Sequence, residues 1–338
     1  MSTSADNQAG ENPIQIRLMQ SEDAPGVVEL YRAVYGEEYP VKTVYDPEAI
    51  IRQKENGDMI RIIALDNSKV VGQNAIYRSV TSNPLLYEEG QGIVRPEYRN
   101  QEIYDKCVAY GHKEVYPQLQ IEQLWGEPVC NHVFTQKAGV RIGYFETGLE
   151  LDLMPASSYA KEQSSQGRVS SLLMFKTIIA LQQTIYLPAI YAETLSYLYS
   201  ARDFGHAFLP SQAALPNTQT KVQTEIYAGA GVARFTLLEI GSDLEDSLLE
   251  QEKEAVSQAC CVLQVYLNLA SPAVGAAVSI LREHQYFLGG ILPRWFNQDG
   301  LLMQKILHEP DVQNIKLYAE RSKKILEIIT EDRKSVIK

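Results

Sequence analysis

Apolar and polar positions alternate over Ile14-Gln15-Ile16-Arg17-Leu18, the two-residue period of a half-buried strand. Ser21-Glu22-Asp23 then supplies an N-cap and an acidic first turn, and Val27, Val28, Leu30 and Tyr31 recur at helical spacing. Ile60 to Leu65 and Val70 to Tyr77 read as an antiparallel hairpin around the turn-forming Asp66-Asn67-Ser68, and Glu88 to Val94 as a third strand. After Pro96, the spacing of Ile103, Cys107, Tyr110 and Val115 predicts a helix over Glu102 to Tyr116. Gln123 to Glu127 predicts a strand, Asn131 to Val140 a short helix, and Tyr144 to Leu153 a further strand.

The pattern then breaks. Ala156 to Gly167 is a connector rich in Ser and Gln, and a second module follows it. There, Pro188 to Phe204 is helical in spacing, with Ile190, Leu195, Leu198 and Tyr199 on one side. Val222 to Tyr227 and Val232 to Ile240 read as strands, Asp243 to Cys260 as an acidic helix, Cys261 to Leu269 as a strand and Ala273 to His284 as a helix. Phe287 to Leu292 with Gly300 to Leu307 closes the module as a hairpin, and a charged helix, Asp311 to Arg333, is expected across the outside. The element order of the first half therefore recurs in the second. The expected organisation is a polar, mobile N-terminus (1–13), a first domain (14–155), a linker (156–167), a second domain (168–310) and a C-terminal helix (311–338).

With 45% apolar and 22% charged residues in 338, each half can bury a core of its own. The formal charge of -11 argues against nucleic acid and anionic membrane as partners, since both are held by excess Lys and Arg. Cys107, Cys130, Cys260 and Cys261 have neither CxxC spacing nor a metal pattern with the five histidines, so no metal is expected. No secretory leader and no run of 18 apolar residues is present, and the expected location is the cytoplasm. A homodimer is among the assemblies the sequence allows.

Four stretches in order resemble the GNAT superfamily of acetyl-CoA dependent N-acetyltransferases. Ile16-Arg17 with Glu22-Asp23 is similar to its first strand and acidic helix start, and Val70-Val71-Gly72 to its third strand. Val94-Arg95-Pro96-Glu97-Tyr98-Arg99 resembles the V-x-P-x-Y-R run before the cofactor loop, and Gly143-Tyr144-Phe145-Glu146-Thr147-Gly148 the G-F-x-x-x-G strand. In the second half, Leu281-Arg282-Glu283-His284-Gln285-Tyr286 and Gly289-Gly290-Ile291-Leu292-Pro293 carry a weaker likeness, with Gln285 where Gly is usual. The resemblance implies an α/β (α+β) chain of two tandem GNAT folds, each a mixed, mostly antiparallel sheet flanked by helices, the second one degenerate.

It also implies a site. In this family the loop R/Q-x-x-G-x-G/A presents backbone amides at a helix start to the pyrophosphate of coenzyme A. The corresponding residues are Ile93, Val94 and Arg95 of the strand, Arg99, Asn100, Gln101, Glu102, Ile103 and Tyr104 of the loop, and Asn131. Glu102 and Tyr104 replace the two small residues, bringing a carboxylate and bulk to a place meant for phosphate. A helix N-terminus that has lost its ligand reads the same way. Gly139 stands where a Tyr often protonates the leaving thiolate.

Glu88 and Glu89 enter the fourth strand on opposite faces, so one is a candidate base, with His132 a third candidate. Each has an ordinary structural reading too, as a solvated strand carboxylate or a helix-capping His. In the second half, Ile240-Gly241-Ser242-Asp243 opens the corresponding helix with carboxylates and carries no phosphate loop. Trp295-Phe296 and the tyrosines from Tyr186 to Tyr199 are expected to serve packing. Two functions follow from the resemblance: an acyl-CoA (acetyl-CoA) dependent N-acetyltransferase acting on a small-molecule or peptide amine, or a non-catalytic GNAT-like binding or regulatory protein.

Overall fold

The computed structural model describes residues 13–39, 41–155 and 167–337. The expectations for the N-terminus and for most of the linker lie outside those residues. The chain forms two compact units: the described residues up to Ile76 with Gln91–Gln118, and Tyr77–Gly90 with the residues from Leu119 onward.

In the first unit, β1 (Gln15–Leu18) leads through a single 3-10 turn into α1 (Ala24–Tyr35), and α2 (Pro47–Glu55) follows. The α2 helix went unread in the hydrophobic pattern, although Asp46 caps it by accepting the Glu48 amide at 2.9 Å and Pro47 starts it. Next come β2 (Met59–Asp66), β3 (Lys69–Tyr77), β4 (Leu86–Val94) and α3 (Ile103–Tyr110). The strands β1 to β4 neighbour one another in chain order, with β1 antiparallel to β2. Val27, Leu30 and Tyr31 of α1 pack on Ile63 and Val70 to make the core. The helix expected to run to Tyr116 instead leaves α geometry after Tyr110, through a π turn over Gly111–Val115. A side chain at Gly111 would stand 2.7 Å from Ile62 and from the Tyr116 ring, so the turn leaves no room for one there.

The second unit begins with the Leu86–Gly90 part of β4 and continues with β5 (Gln123–Gly126), α4 (Phe134–Arg141), β6 (Phe145–Met154) and β7 (Val169–Thr177). It goes on through β8 (Thr184–Leu187), α5 (Ala192–Tyr199), β9 (Ala207–Pro210), β10 (Lys221–Tyr227), β11 (Val232–Glu239), α6 (Leu244–Ser257) and β12 (Val262–Asn268). The last elements are α7 (Val274–Glu283), β13 (Phe287–Leu292), β14 (Gly300–Ile306) and α8 (Glu320–Val336). Strands β7, β8 and β9 were not foreseen, and the helix read over Pro188 to Phe204 is confined to α5 with one 3-10 turn ahead of it.

The unit contains a repeat. Strand β4 runs parallel to β5, and β7 lies between β5 and β6, antiparallel to both. Likewise β11 runs parallel to β12, and β14 lies between β12 and β13, antiparallel to both. The two sets meet where Gly148 of β6 pairs with Gly290 of β13. A methyl on Gly148 would come 2.3 Å from the Gly289 carbonyl oxygen, and one on Gly290 2.4 Å from the Gly148 Cα. The charged helix expected across the outside is α8, and it packs on the sheet. Its Ile325 and Ile329 are buried, Ser322 donates to Glu146 at 3.1 Å, and Asp332 accepts the Leu288 amide at 2.8 Å, so one helix covers both β6 and β13.

Candidate active site

Strand alternation sends Glu88 and Glu89 to opposite sides of β4, and their surroundings differ accordingly. The Glu89 carboxylate accepts from the Tyr144 hydroxyl at 2.6 Å and lies near Lys176. Glu88 faces a cluster built from five strands. Tyr77 at the end of β3 donates to its carboxyl, and Glu127 lies just past β5. Arg234 of β11 donates to Glu127 at 3.0 Å and to Glu150 of β6 at 3.5 Å. Its Nε donates to the Gln264 side-chain oxygen at 2.9 Å, which also accepts from the Tyr266 hydroxyl at 3.1 Å. The Gln264 amide in turn donates to Glu150 at 2.6 Å. Trp295 stacks on Tyr266 with ring centroids 5.1 Å apart and meets Trp125 edge-on at 4.9 Å.

Three carboxyls thus share one guanidinium. Burial, then the Glu127 charge, push the Glu88 carboxyl up to about 7, against the pull of Tyr77, Ser79 and Arg234. Burial and Glu127 also raise Glu150 well above the usual carboxylate range. Glu150 is 1% exposed in its side chain against 20% for Glu127. The neighbouring Glu127 carboxyl adds to burial in raising Glu150. The Glu88 carboxyl is thereby poised to exchange a proton near neutrality, with some access to solvent.

His132 lies just ahead of α4. It sits in the bend before α4 with its ring 5.5 Å from Phe134, while α4 itself starts at Phe134 rather than at Asn131. Asn131 is buried in the same bend. Gly139 on α4 backs onto the Met174 thioether, at 3.1 Å from the Cε to an added Cβ, so no proton donor stands at that position.

The loop after β4 belongs to the first unit. Ile93 is buried, Val94 ends the strand, and the Arg95 guanidinium donates to the Val70 carbonyl at 2.9 Å. Pro96–Tyr98 forms a 3-10 turn, followed by Arg99, Asn100 and Gln101, and Ile103 is buried beneath Gly72. Asn100 and Glu102 have left-handed backbones, φ 66° and 56°, the conformation that a Gly-rich loop adopts without strain. The Glu102 side chain is exposed. Two left-handed residues thus precede α3, with the Glu102 side chain directed to solvent. Tyr104 is different: a Cβ on Gly92 of β4 would come 2.2 Å from its ring, so the tyrosine packs directly against the strand. Gln91 beside it is bulged, φ 53°, with its carbonyl taken by Gln73 at 3.1 Å and its side chain by Tyr31 at 2.7 Å.

The equivalent place in the second half is filled by protein. At the start of α6, the Ser242 amide donates to the Thr218 carbonyl at 3.0 Å and Asp243 accepts the Thr220 amide at 2.7 Å. A Cβ on Gly241 would stand 2.2 Å from that same Thr218 oxygen.

No family model and no curated protein matches the chain. Among solved structures, it is similar to a ribosomal-protein-alanine N-acetyltransferase from Brucella melitensis, at 16% identity and TM-score 0.40 over 48% of this chain and 99% of that one. It is also similar to a GNAT superfamily phosphinothricin acetyltransferase from Sinorhizobium meliloti in complex with AcCoA, at 17% identity and TM-score 0.39 over 49% of this chain and 89% of that one. An N-acetyltransferase from Staphylococcus aureus matches at 11% identity and TM-score 0.41 over 49% and 99%. Each likeness covers about half of this chain and is one of fold.

Proposed function

We propose that the protein is an acyl-CoA dependent N-acyltransferase in which Glu88 is the general base toward a small-molecule or peptide amine. The observation that carries this reading is the Glu88 carboxyl, held by the Tyr77 hydroxyl beside Glu127 and Arg234 and poised near neutrality. In the reaction, Glu88 takes a proton from the amine as its nitrogen attacks the thioester carbonyl. The C–N bond forms, the C–S bond breaks, and the thiolate leaves to be protonated from solvent, since Gly139 offers no acid. Arg99 and the backbone from Asn100 to Tyr104 are the groups proposed for the pyrophosphate. The tandem organisation is part of the proposal, with the first half extended through β7 to Thr177, because β7 completes the β5–β6 sheet.

A second reading, a GNAT-like protein that binds without catalysis, is favoured by one observation: Tyr104 covers Gly92 of β4. Calorimetric titration with acetyl-CoA and CoA, followed by thiol release with a panel of amines, separates the two. Catalysis requires heat at micromolar acetyl-CoA and amine-dependent thiol release that drops by about 100-fold or more in Glu88→Gln. Absence of binding at high micromolar ligand rules the enzyme out.

A further inference from the structure

The sheet register equates residues of the two halves. In the first, Glu88 of β4 stands opposite Trp125 of β5, Trp125 opposite Phe175 of β7, and Phe175 opposite Phe145 of β6. In the second, Arg234 of β11 stands opposite Gln264 of β12, Gln264 opposite Gln304 of β14, and Gln304 opposite Phe287 of β13. An independent mark fixes the same alignment. The β6–β7 ladder slips between Glu146 and Gly148, one residue past Phe145, and the β13–β14 ladder slips between Leu288 and Gly290, one residue past Phe287. Gly143 and Gln285, two residues before those phenylalanines, share a left-handed backbone, φ 88° and 69°. Arg234 therefore occupies in the second half the position that Glu88 occupies in the first.

We infer that the second half holds a guanidinium where the first half holds its base, and that Arg234 is the positioning residue of the Glu88 site, gathering Glu127 and Glu150 of the first half around it. The guanidinium works as a fork, with Nε on Gln264 and one terminal nitrogen shared by Glu127 and Glu150. Tyr227 and Tyr266 flank the guanidinium at 5.7 and 6.0 Å. The charged and titratable groups facing Glu88 are Tyr77 from β3, Glu127 after β5, and Arg234 and Tyr227 from the second half. The second half, whose own loop is filled by Thr218 and Thr220, then contributes to the first half's chemistry rather than to a second site. This inference rests on the proposed role of Glu88.

Its test needs no substrate. In the full chain labelled with carbon-13 at Glu carboxyls, one resonance titrating near pH 7 and missing from Glu88→Gln is the Glu88 signal. Arg234→Met is expected to move that midpoint up by about one unit, Glu127→Gln to move it down, and Arg234→Lys to fall between wild type and Arg234→Met, since an ammonium keeps the charge but not the fork. Where Arg234→Met fails to fold, by circular dichroism, the lysine variant is read in its place. A Glu88 midpoint that stays at its wild-type value in the folded Arg234 variants overturns the inference. A shifted midpoint in a protein without acyl transfer instead leaves the positioning role standing and removes the proposed reaction.

Discussion

At the scale of single residues, Glu88 ties stability to pH in an unusual direction. Its carboxyl is raised from 4.5 to about 7, so between those values the folded chain binds more protons than the unfolded one. Stability contributed by this group is complete below pH 4.5 and is lost as pH rises through about 7. The melting temperature should therefore fall across that window, and Glu88→Gln should flatten the decline without abolishing it, because Glu150 is raised in the same sense. Thermal melts at closely spaced pH check this, and an unchanged slope in the variant would place Glu88 in an ordinary solvated setting. Glu102 offers a second test. With its backbone at φ 56° and no cap hydrogen bond from its side chain, Glu102→Gly should stabilise the fold by about 1 kcal/mol in urea denaturation. It should also tighten CoA by removing a like charge, whereas loss of stability would mean the carboxylate supports α3.

At the scale of elements, the readable features were those with a local cause. The alternation of β1, the Asp66-Asn67-Ser68 turn between β2 and β3, and the run from Val94 to Arg99 all depend on neighbours in the chain. Strand β7 escaped because it is buried on both faces from Val169 to Phe175, which erases the two-residue period, and because its partners β5 and β6 precede it on the far side of the connector. Both Glu88 and Glu89 could be placed on a strand, but the surroundings that make them differ include Glu127, Glu150 and Arg234, which lie up to half the chain away. The role of Arg234 gave no sequence signal at all. The glycine of the G-F-like motif, by contrast, was visible, and its reason is now concrete. Gly148→Ala forces a methyl onto the Gly289 and Gly290 backbone, which cannot yield as a side chain would. The expected cost is about 1–3 kcal/mol or more, read from the shift of a urea midpoint. A neutral result would mean that β6 and β13 part without penalty.

At the scale of the molecule, the connector is a poor place to divide the chain. A cut after residue 160 takes away β7, leaving β5 and β6 without the strand that hydrogen-bonds to both. It also removes α8, with the bonds from Ser322 to Glu146 and from the Arg321 guanidinium to the Glu146 carbonyl, and it strips Arg234 from Glu127 and Glu150. Loss of β7 is the more damaging, since it leaves β5 and β6 with unpaired strand edges. A fragment of residues 1–160 is therefore expected to be insoluble or to melt without a cooperative transition. Extending it to residue 180 restores β7 and the ladder but neither Arg234 nor α8, so that longer fragment should regain strand signal in circular dichroism while melting well below the full chain. Adding Glu127→Gln to the longer fragment should then raise its melting temperature, because the substitution removes a carboxylate that has lost its partner. If residues 1–160 alone melt cooperatively at the temperature of the intact protein, β7 is dispensable and the two halves are independent modules.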